Sequence, residues 1–470
     1  MEKKNTWETY SSKQLKELEK INAQYRDFLD NGKTERECID TIVNTIEKSG
    51  YRELESLIKE GTALKTGDKV YSVWMNKSIA MFQIGRKPMT EGMNILGAHI
   101  DSPRLDVKQN PLYEDGGFAY LDTHYYGGVK KYQWVTIPLA IHGVIVKKDG
   151  TCVEINIGEN EDDPVFFVSD LLIHLAQEQL EKKAAKVIEG EALDIIVGNK
   201  PLLIDKKDKK KDEKEAGKEA VKAGVLDILK ETYDIHEEDF VSAELEIVPA
   251  GKAREAGFDR SMILAYGQDD RVCAYTSMQA MLDSDVTDRT MCCILVDKEE
   301  IGSVGATGMQ SHFFENAVAE VMNLTGEYSE LHVRRCLAHS CMLSSDVSSA
   351  FDPTYASSFD KKNVAYLGGG MVINKFTGAR GKSGSNDANA EYVGALRAIF
   401  DDAKVNWQTA ELGKVDVGGG GTIAYIMSLY GMEVIDSGVP VLSMHAPWEV
   451  TSKADVYEAK KAYVAFLKNA

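Results

Sequence analysis

The sequence predicts an α/β protein in which a mixed, largely parallel sheet is flanked by helices and interrupted by an inserted β-rich domain. From residue 242 onward, apolar strands alternate with glycine-containing loops and helical segments, which is the pattern of a parallel sheet. Between residues 105 and 249 the pattern changes to closely spaced strands and tight turns. The 470 residues are enough for two or three domains, and a hydrophobic content of 43% is ordinary for a globular protein.

These changes of pattern divide the chain into two parts. We predict a discontinuous first domain over residues 1–104 and 250–470, and an inserted domain over residues 105–249. Within the inserted domain, Asp149-Gly150 is typical of a hairpin turn. The stretch near 205–222 is almost entirely charged, which is typical of an exposed loop or a loose helix.

Individual elements follow from capping residues and apolar runs. Ser11 or Ser12 caps a first helix, and Thr34 with Glu37 forms the capping-box pattern that begins a second helix. Strands are predicted over residues 69–74, 78–84, 93–98, 133–139, 141–147, 151–157, 291–296, 337–343, 364–368 and 439–444.

Composition excludes several classes of function. Acidic residues outnumber basic residues by 74 to 55, and the net charge of −19 excludes a typical nucleic-acid-binding protein. No stretch approaches the ~20 apolar residues of a membrane helix, and the first residues lack the apolar region of a signal peptide. Seven scattered cysteines without a CxxC pair are typical of reduced thiols. We therefore expect a cytoplasmic protein with neither nucleic-acid nor membrane partners.

Histidines and carboxylates follow several of the predicted strands. Because ligands bind beyond the carboxyl ends of strands in open α/β sheets, we expect these side chains to converge on one crevice. One such residue alone is commonly a packed or solvated side chain, but acids at five strand ends require a compensating cation. The candidates are His99, Asp101, Asp269, Asp270, Glu299, Glu300, Asp346 and His445.

The candidate residues form a nitrogen and oxygen donor set without cysteine. Such a set suits Zn²⁺, Co²⁺ or Mn²⁺. Five or six donors are too many for one tetrahedral zinc ion but suit two ions about 3.5–4 Å apart that share a carboxylate. Of the adjacent Glu299 and Glu300, one is expected to bind an ion and the other to accept a proton from water. The spacing does not decide which glutamate has which role.

Five segments with these residues occur in a fixed order along the chain. They are GAHIDSPRLDVK (97–108), GQDDRVCAY (267–275), DKEEIGSVGATG (297–308), SSDVSSAFDP (344–353) and SMHAPWEV (443–450). Together they resemble the M18 family of metallo-aminopeptidases, which includes aspartyl aminopeptidase and the bacterial aminopeptidase 1 enzymes. The resemblance covers nearly the whole chain. It implies a zinc-exopeptidase-like catalytic domain and an inserted dimerisation or lid domain.

The resemblance also implies a metal site with two Zn²⁺ ions per subunit, with Co²⁺ or Mn²⁺ as alternatives. His99 and Asp346 would bind one ion, and Glu300 and His445 would bind the other. Asp269 would bridge the two ions.

Further roles are implied for residues that do not bind the ions. Glu299 would be the general base and acid, and Asp101 would orient His99. His174, on an apolar run where a packed histidine is the usual state, would reach the active site of a neighbouring subunit. Lys375 would supply positive charge near the substrate pocket, although surface solvation is the more common role for such a lysine.

The N-terminal residue that the enzyme prefers is left open. Acid-selective members of the family carry histidines where this chain has Ser349 and Asp352. Asp352 would repel an acidic side chain, so neutral, hydrophobic and acidic N-terminal residues all remain candidates. The run Gly418–Gly421 is either a tight turn or a loop that faces the substrate.

Three whole-protein hypotheses follow. The leading one is a two-metal aminopeptidase that acts on short peptides. The alternatives are an amidohydrolase or deacylase with the same two-metal site, and a catalytically silent assembly protein. The resemblance further implies a homo-oligomer in which dimers formed through the inserted domain build a dodecamer.

Overall fold

The computed structural model describes residues 5–202, 219–378, 380–421 and 423–470. The predicted charged segment 205–222 lies mostly outside the described residues. The described part contains twelve α-helices: α1 (Ser12–Asn31), α2 (Glu35–Glu47), α3 (Leu54–Glu60), α4 (Gln177–Leu180), α5 (Ala184–Val187), α6 (Ala220–Tyr233), α7 (Gln268–Leu282), α8 (Phe313–Leu324), α9 (Glu330–Ala338), α10 (Ala390–Asp402), α11 (Ile423–Ser428) and α12 (Lys453–Asn469).

Twenty strands are formed by the described residues. They are β1 (Arg52–Glu53), β2 (Lys69–Trp74), β3 (Ser78–Gln83), β4 (Met93–His99), β5 (Arg104–Asp115), β6 (Phe118–Tyr126), β7 (Leu139–Val146), β8 (Cys152–Ile157), β9 (Ile195–Gly198), β10 (Ala243–Pro249), β11 (Arg254–Ala256), β12 (Met262–Ala265), β13 (Thr290–Val296), β14 (Cys341–Ser345), β15 (Ser348–Ser349), β16 (Met371–Asn374), β17 (Trp407–Thr409), β18 (Glu433–Gly438), β19 (Pro440–Leu442) and β20 (Glu449–Ser452).

The chain divides into two compact units. The first unit comprises residues 1–102, 253–444 and 448–470, and the second comprises 103–252 and 445–447.

The first unit is built on a nine-stranded mixed sheet. Its strand order is β1-β2-β3-β13-β4-β14-β18-β16-β17. The four central strands β13, β4, β14 and β18 are mutually parallel, and antiparallel neighbours flank them on both sides. The predicted mixed, largely parallel sheet flanked by helices is therefore confirmed. A second sheet of the same unit contains β11, β12, β20, β19 and β15.

The central strands are apolar on both faces because each face packs against helices. Along β13, Cys293 and Leu295 pack in a core with helices α1, α2, α7, α10 and α12, whereas the alternate residues Cys292 and Ile294 pack with α3, α8, α9 and α11. This alternation follows from the two-residue period of a strand. Both adjacent cysteines are therefore core residues, and both are fully buried.

The second unit is an antiparallel, β-rich unit. Its six-stranded sheet has the order β8-β7-β10-β5-β6-β9, and every neighbouring pair is antiparallel. The hairpin predicted at Asp149-Gly150 is confirmed, since β7 and β8 pair around it and Gly150 has a φ of +89°. No helix in the described part of the chain has the length and apolar character required to cross a bilayer.

Helix starts are the best-predicted local features. Ser11 is the N-cap of α1 and exchanges a capping box with Gln14. Thr34 and Glu37 form the predicted capping box at the start of α2, with the Glu37 N–H donating to the Thr34 hydroxyl at 3.2 Å. Both motifs satisfy helix N–H groups locally, so they need no distant contact.

Four predicted strands differ from the structure. The strand predicted over 133–139 is wrong, because Lys131–Gln133 form a 3₁₀ turn, Thr136 has a φ of +59°, and Pro138 lacks an N–H. The strand predicted over 337–343 begins only at Cys341, after helix α9. Residues 364–368 make a single bridge, Ala350 to Ala365, instead of a strand.

The predicted strand over 439–444 is also corrected. It is replaced by the short strand β19, which covers only Pro440–Leu442 and lies in the five-stranded sheet. The run after the central strand β18 therefore leaves the nine-stranded sheet, since Pro440 pairs with β15 instead.

Candidate active site

Three neighbouring parallel strands end at one edge of the nine-stranded sheet and carry candidate residues there. The order β13, β4, β14 places the three strands side by side, with Val296 opposite His99. His99 is the last residue of β4, Asp346 directly follows β14, and Glu299 follows β13 in the 3₁₀ turn Glu299–Ile301. Parallel strands bring their carboxyl ends together, so one edge collects residues that are far apart in sequence.

The shortest of these contacts centre on the imidazole of His99. Its Nε2 lies 3.2 Å from Oδ1 of Asp269 and 3.8 Å from Oδ1 of Asp346. His99 and Asp269 are buried, and the Asp346 side chain is 23% exposed. One donor atom from each of the three side chains lies within 4.8 Å of the others, which is the spacing of a metal-binding group.

Asp269 also approaches a second carboxylate of the same unit. An oxygen of Asp269 and an oxygen of Glu300 lie within 4.8 Å of each other. Asp269 thus faces His99 and Asp346 with one set of contacts and Glu300 with another. This arrangement suits a carboxylate shared between two sites.

His445 lies in the short stretch 445–447 that clusters with the second unit. Its Nδ1 is 2.9 Å from the carbonyl oxygen of Gly128, which belongs to the same unit. A proton on Nδ1 would be donated to this carbonyl, and the lone pair would then lie on Nε2.

Asp101 holds both His99 and the turn that carries the two glutamates. Its Oδ1 lies 3.2 Å from Nδ1 of His99. The same carboxylate accepts the backbone N–H of Glu299 and that of Glu300, each at 3.1 Å. Asp101 is fully buried, so water does not compete with these contacts.

The backbone of Asp269 is held at both ends. Its N–H donates to the Glu449 carboxylate at 3.0 Å, and its carbonyl accepts the Ser102 hydroxyl at 2.7 Å. Gly267, two residues earlier, has a φ of +70°, and a Cβ there would overlap the Arg271 guanidinium. The peptide bond between Asp269 and Asp270 is cis.

The electrostatics of this cluster favour a bound cation. Burial alone would lower the pKa of His99, but hydrogen bonds to Asp101, Asp269 and Asp346 raise it well above its usual value. Burial also raises the pKa of Asp346, and so does the charge of Asp269. The residues therefore hold protons at positions where a divalent ion would supply the positive charge, and this donor set fits zinc.

The two other predicted site residues are His174 and Lys375. His174 lies in the 3₁₀ turn Ile173–Leu175 of the second unit, and its side chain is exposed. Lys375 follows β16 in the first unit and is also exposed. Asp352 caps the 3₁₀ turn Pro353–Ser358 by accepting the Thr354 N–H at 2.8 Å.

Sequence reasoning missed the residues that support the site. Ser102 and Glu449 lie inside two of the family-like segments, yet their contacts with Asp269 join positions 167 and 180 residues apart. Their position inside those segments was the only sequence signal, because backbone contacts of this kind leave no pattern of residue types. The double contact of Asp101 with Glu299 and Glu300 was missed for the same reason.

Comparison with known proteins agrees with the fold and the site. The sequence profile described as "Aminopeptidase I zinc metalloprotease (M18)" matches residues 28–467. A "Probable M18 family aminopeptidase 1" from Clostridium acetobutylicum is 62% identical over 468 residues, covering 100% of this chain and 98% of that protein. The crystal structure of an M18 aminopeptidase from Thermotoga maritima is 43% identical, with a TM-score of 0.93 and complete coverage of both chains. The crystal structure of aminopeptidase I from Clostridium acetobutylicum has a TM-score of 0.90 at 59% identity and also covers both chains completely.

The fold and the cluster of histidine and carboxylates define a metallo-aminopeptidase, a hydrolase that acts as an exopeptidase. The chain belongs to the M18 family of these enzymes, which the matching profile describes as zinc metalloproteases. This membership decides for the aminopeptidase over the deacylase and the silent assembly protein.

Proposed function

We propose that this aminopeptidase removes single N-terminal residues from short peptides at a site that holds two zinc ions, with Glu299 as the general base. The observation that carries the proposal is the shared position of Asp269. One oxygen of Asp269 lies within 4.8 Å of donor atoms of His99 and Asp346, and an oxygen of Asp269 also lies within 4.8 Å of a Glu300 oxygen. Two donor groups that include the same carboxylate suit two ions that share it.

The donors divide naturally into two sets. His99 and Asp346 would hold one ion, and Glu300 with His445 would hold the other, while Asp269 would belong to both sets. When bound, the zinc ions supply an acidified water and stabilise the negative charge that develops on the carbonyl oxygen. Co²⁺ and Mn²⁺ accept the same donors and remain alternatives.

Glu299 is assigned the proton transfers because Glu300 is the glutamate near Asp269. A carboxylate oxygen of Glu299 would take the proton of the attacking water and later donate it to the nitrogen of the leaving peptide. The turn that carries both glutamates is held by Asp101, which supports a fixed division of their roles. Preorganised side chains of this kind reduce the reorganisation needed during reaction.

The proposal for the N-terminal residue is a preference for neutral or hydrophobic side chains, with acidic ones as the alternative. Support comes from Ser349 and Asp352, which stand where acid-selective relatives carry histidines. Hydrolysis rates for peptides that begin with leucine, alanine, aspartate and glutamate would order these preferences. An excess of at least tenfold for aspartate or glutamate would contradict the preference.

We further propose a homo-oligomer in which dimers form through the second unit and assemble into a dodecamer. The exposed apolar side chains of that unit support it, since Leu172, Ile173 and Leu175 are 54%, 67% and 68% exposed. A Saccharomyces cerevisiae protein that shares the fold at 19% identity, with a TM-score of 0.74, has been solved as a dodecamer. His174, in the same turn, would then reach the active site of a neighbouring subunit.

The substitution Glu299→Gln tests the mechanism. It keeps the shape of the side chain but removes the base, so we expect kcat to fall on the order of 10²- to 10⁴-fold. Zinc content should remain at two equivalents by elemental analysis, because Glu299 is not a proposed ligand. Glu320→Gln, at an exposed position of α8, is the matched control and should behave as the unsubstituted enzyme.

Two results would contradict this mechanism. Full activity of the Glu299→Gln enzyme would show that Glu299 is not the general base. A single bound zinc per subunit in fully active enzyme would show that activity does not need two ions.

A further inference from the structure

A group of buried hydrogen-bond acceptors without donors lies beside Asp346. Asp436, on β18, is 2% exposed, and its Oδ2 has no hydrogen-bond partner among the described residues. Asn374, on β16, lies directly opposite Asp436 in the register of the two strands. Its Oδ1 and the hydroxyl of Thr377 are likewise buried and without partners in the part of the chain that the structure describes. Together with Gly421, these residues are called the acceptor pocket below.

Gly421 provides the space in this pocket. A Cβ at this position would lie 3.6 Å from Oγ1 of Thr377, 3.7 Å from Oδ1 of Asp436 and 3.7 Å from Oδ2 of Asp346. Three oxygens from three separate segments thus surround the space that a side chain would fill. The φ of +83° at Gly421 also favours glycine. One wall of the pocket is therefore a proposed zinc ligand.

Unsatisfied buried acceptors require an explanation in physical terms. A buried carboxylate without a donor or a cation is costly, and such groups in native proteins usually have a partner. Asp436 has no ion pair with a lysine, arginine or histidine within the described ranges. Asn374 donates its Nδ2–H to the Ser348 hydroxyl at 2.7 Å. The Oδ1 of the same amide has no partner among the described residues and can accept a hydrogen bond. A small group with several donors and a positive charge would satisfy all of these acceptors.

The α-ammonium group of a peptide has these properties. It carries three N–H donors and one positive charge, and every substrate of an aminopeptidase presents it one residue from the bond that is cleaved. We propose that the acceptor pocket binds the α-ammonium group of the substrate, with Asp436 as its countercharge. This inference rests on the proposed function, because it places the substrate beside Asp346.

The pocket accounts for the requirement for a free N-terminus. An N-acetylated peptide has neither the charge nor the three donors, so it would leave Asp436 buried without a partner. Rejection by unpaired buried groups is a strong source of specificity, larger than the loss of an equal apolar contact. Asn374 and Thr377 would be specificity-determining residues in the same sense.

Binding measurements with a matched pair of ligands test the proposal. L-Leucine and 4-methylpentanoate differ only by the α-amino group, and neither is hydrolysed. Isothermal titration of the zinc-loaded enzyme should give a dissociation constant for leucine that is on the order of 10- to 100-fold lower, as expected for a hydrogen-bonded charge. For Asp436→Asn, we expect the ratio of the two constants to fall to within about threefold of unity.

Two further variants keep the test informative. Thr377→Val keeps the side-chain shape and removes the hydroxyl, so the ratio should fall by a few-fold even if Asp436→Asn does not fold. Glu433→Gln changes an acid to an amide on the same strand, outside the acceptor pocket, and should keep the ratio of the unsubstituted enzyme.

The outcomes separate this inference from the proposed function. An unchanged ratio in Asp436→Asn, or in Thr377→Val, would overturn the inference, and so would equal binding of the two ligands by the unsubstituted enzyme. Loss of zinc from folded Asp436→Asn would also overturn it, because Asp436 would then act on the metal site. None of these results bears on Glu299, whose role is tested by kcat alone.

Discussion

The two units use their apolar residues in different ways. In the first unit, the central strands β13, β4, β14 and β18 are parallel and apolar on both faces, and polar residues begin where the strands end. In the second unit, all strand pairs are antiparallel, and apolar residues near Ile173 remain on its surface. A doubly covered parallel sheet concentrates polar residues at one edge, whereas the second unit leaves apolar side chains exposed on its surface.

The two units should also differ in how they respond to substitutions. Residues at the strand edge of the first unit each have several buried partners, as Asp101 illustrates with its three contacts. In the second unit, the apolar side chains of the turn Ile173–Leu175 are instead largely exposed to solvent. Substitutions at the strand ends of the first unit should therefore impair catalysis. Substitutions in the exposed turn Ile173–Leu175 should change the association of subunits and leave folding intact.

Among the residues that support the site, the largest effect is expected for Asp101→Asn. An asparagine has one acceptor oxygen, so it cannot accept the N–H groups of both Glu299 and Glu300 and also face His99. We expect kcat to fall on the order of 10²-fold and zinc affinity to weaken about 10- to 100-fold. Steady-state kinetics and competition with a zinc chelator would measure the two effects.

The control for this variant is Asp360→Asn. Asp360 also accepts a backbone N–H, from Lys362 at 3.1 Å, but it lies at an exposed turn. Kinetics of Asp101→Asn within threefold of the unsubstituted enzyme would contradict the importance of the shared contact.

Zinc binding should depend strongly on pH. The pKa of His99 is raised well above its usual value and that of Asp346 is also raised, so the metal-free site retains protons that zinc must displace. The apparent affinity should therefore rise with pH, by up to about tenfold per pH unit for each displaced proton. Calorimetry in buffers with different ionisation enthalpies would count the protons, and no release at pH 7 would contradict this description of the site.

A charge on the exposed turn of the second unit should change the oligomeric state. Ile173→Asp places a carboxylate at a position that is 67% exposed, so we expect smaller particles by light scattering and little change in Tm. Ile228→Asp is the matched control, because Ile228 is 60% exposed on α6 of the same unit. Equal particle masses for Ile173→Asp and the unsubstituted protein would exclude this turn from the interface.

The smallest effect concerns Asp297, at the end of β13. Burial, together with the charges of Glu35 and Asp101, raises its pKa to about 7, against opposing effects of Lys298 and Thr307. Because the folded state holds this proton more tightly, the contribution of Asp297 to stability is present below pH ~4 and is lost as pH rises towards 7. Asp297→Asn should remove this loss in the metal-free protein.

The measurement is the Tm in the presence of a chelator at pH 5 and pH 8. The Tm of Asp297→Asn minus the Tm of the unsubstituted protein should be a few degrees larger at pH 8 than at pH 5. A difference that does not change with pH would show that Asp297 does not titrate in this range. Asp288→Asn, at an exposed loop position, serves as the control for removal of a charge.

Several features followed from local sequence alone. The capping boxes of α1 and α2 and the hairpin at Asp149-Gly150 involve residues within a few positions of each other, so their patterns are visible in the sequence. The strand over 337–343 was mispredicted in its first half because α9 and β14 are both apolar there. Periodicity over so short a run does not separate a helix end from a strand start.

The sequence by itself determined which residue types stand at the ends of the strands, and hence that His99, Asp269, Asp346 and one of Glu299 and Glu300 are candidate donors for metal ions. That information is local, because each donor directly follows an apolar run or belongs to a short motif. The tertiary structure alone decided that Asp101 supports both glutamates, that Glu449 and Ser102 hold Asp269, and that Asp436 lies beside Gly421. These contacts join segments up to 199 residues apart, and sheet order brings them together. A linear pattern of residue types carries no record of that order.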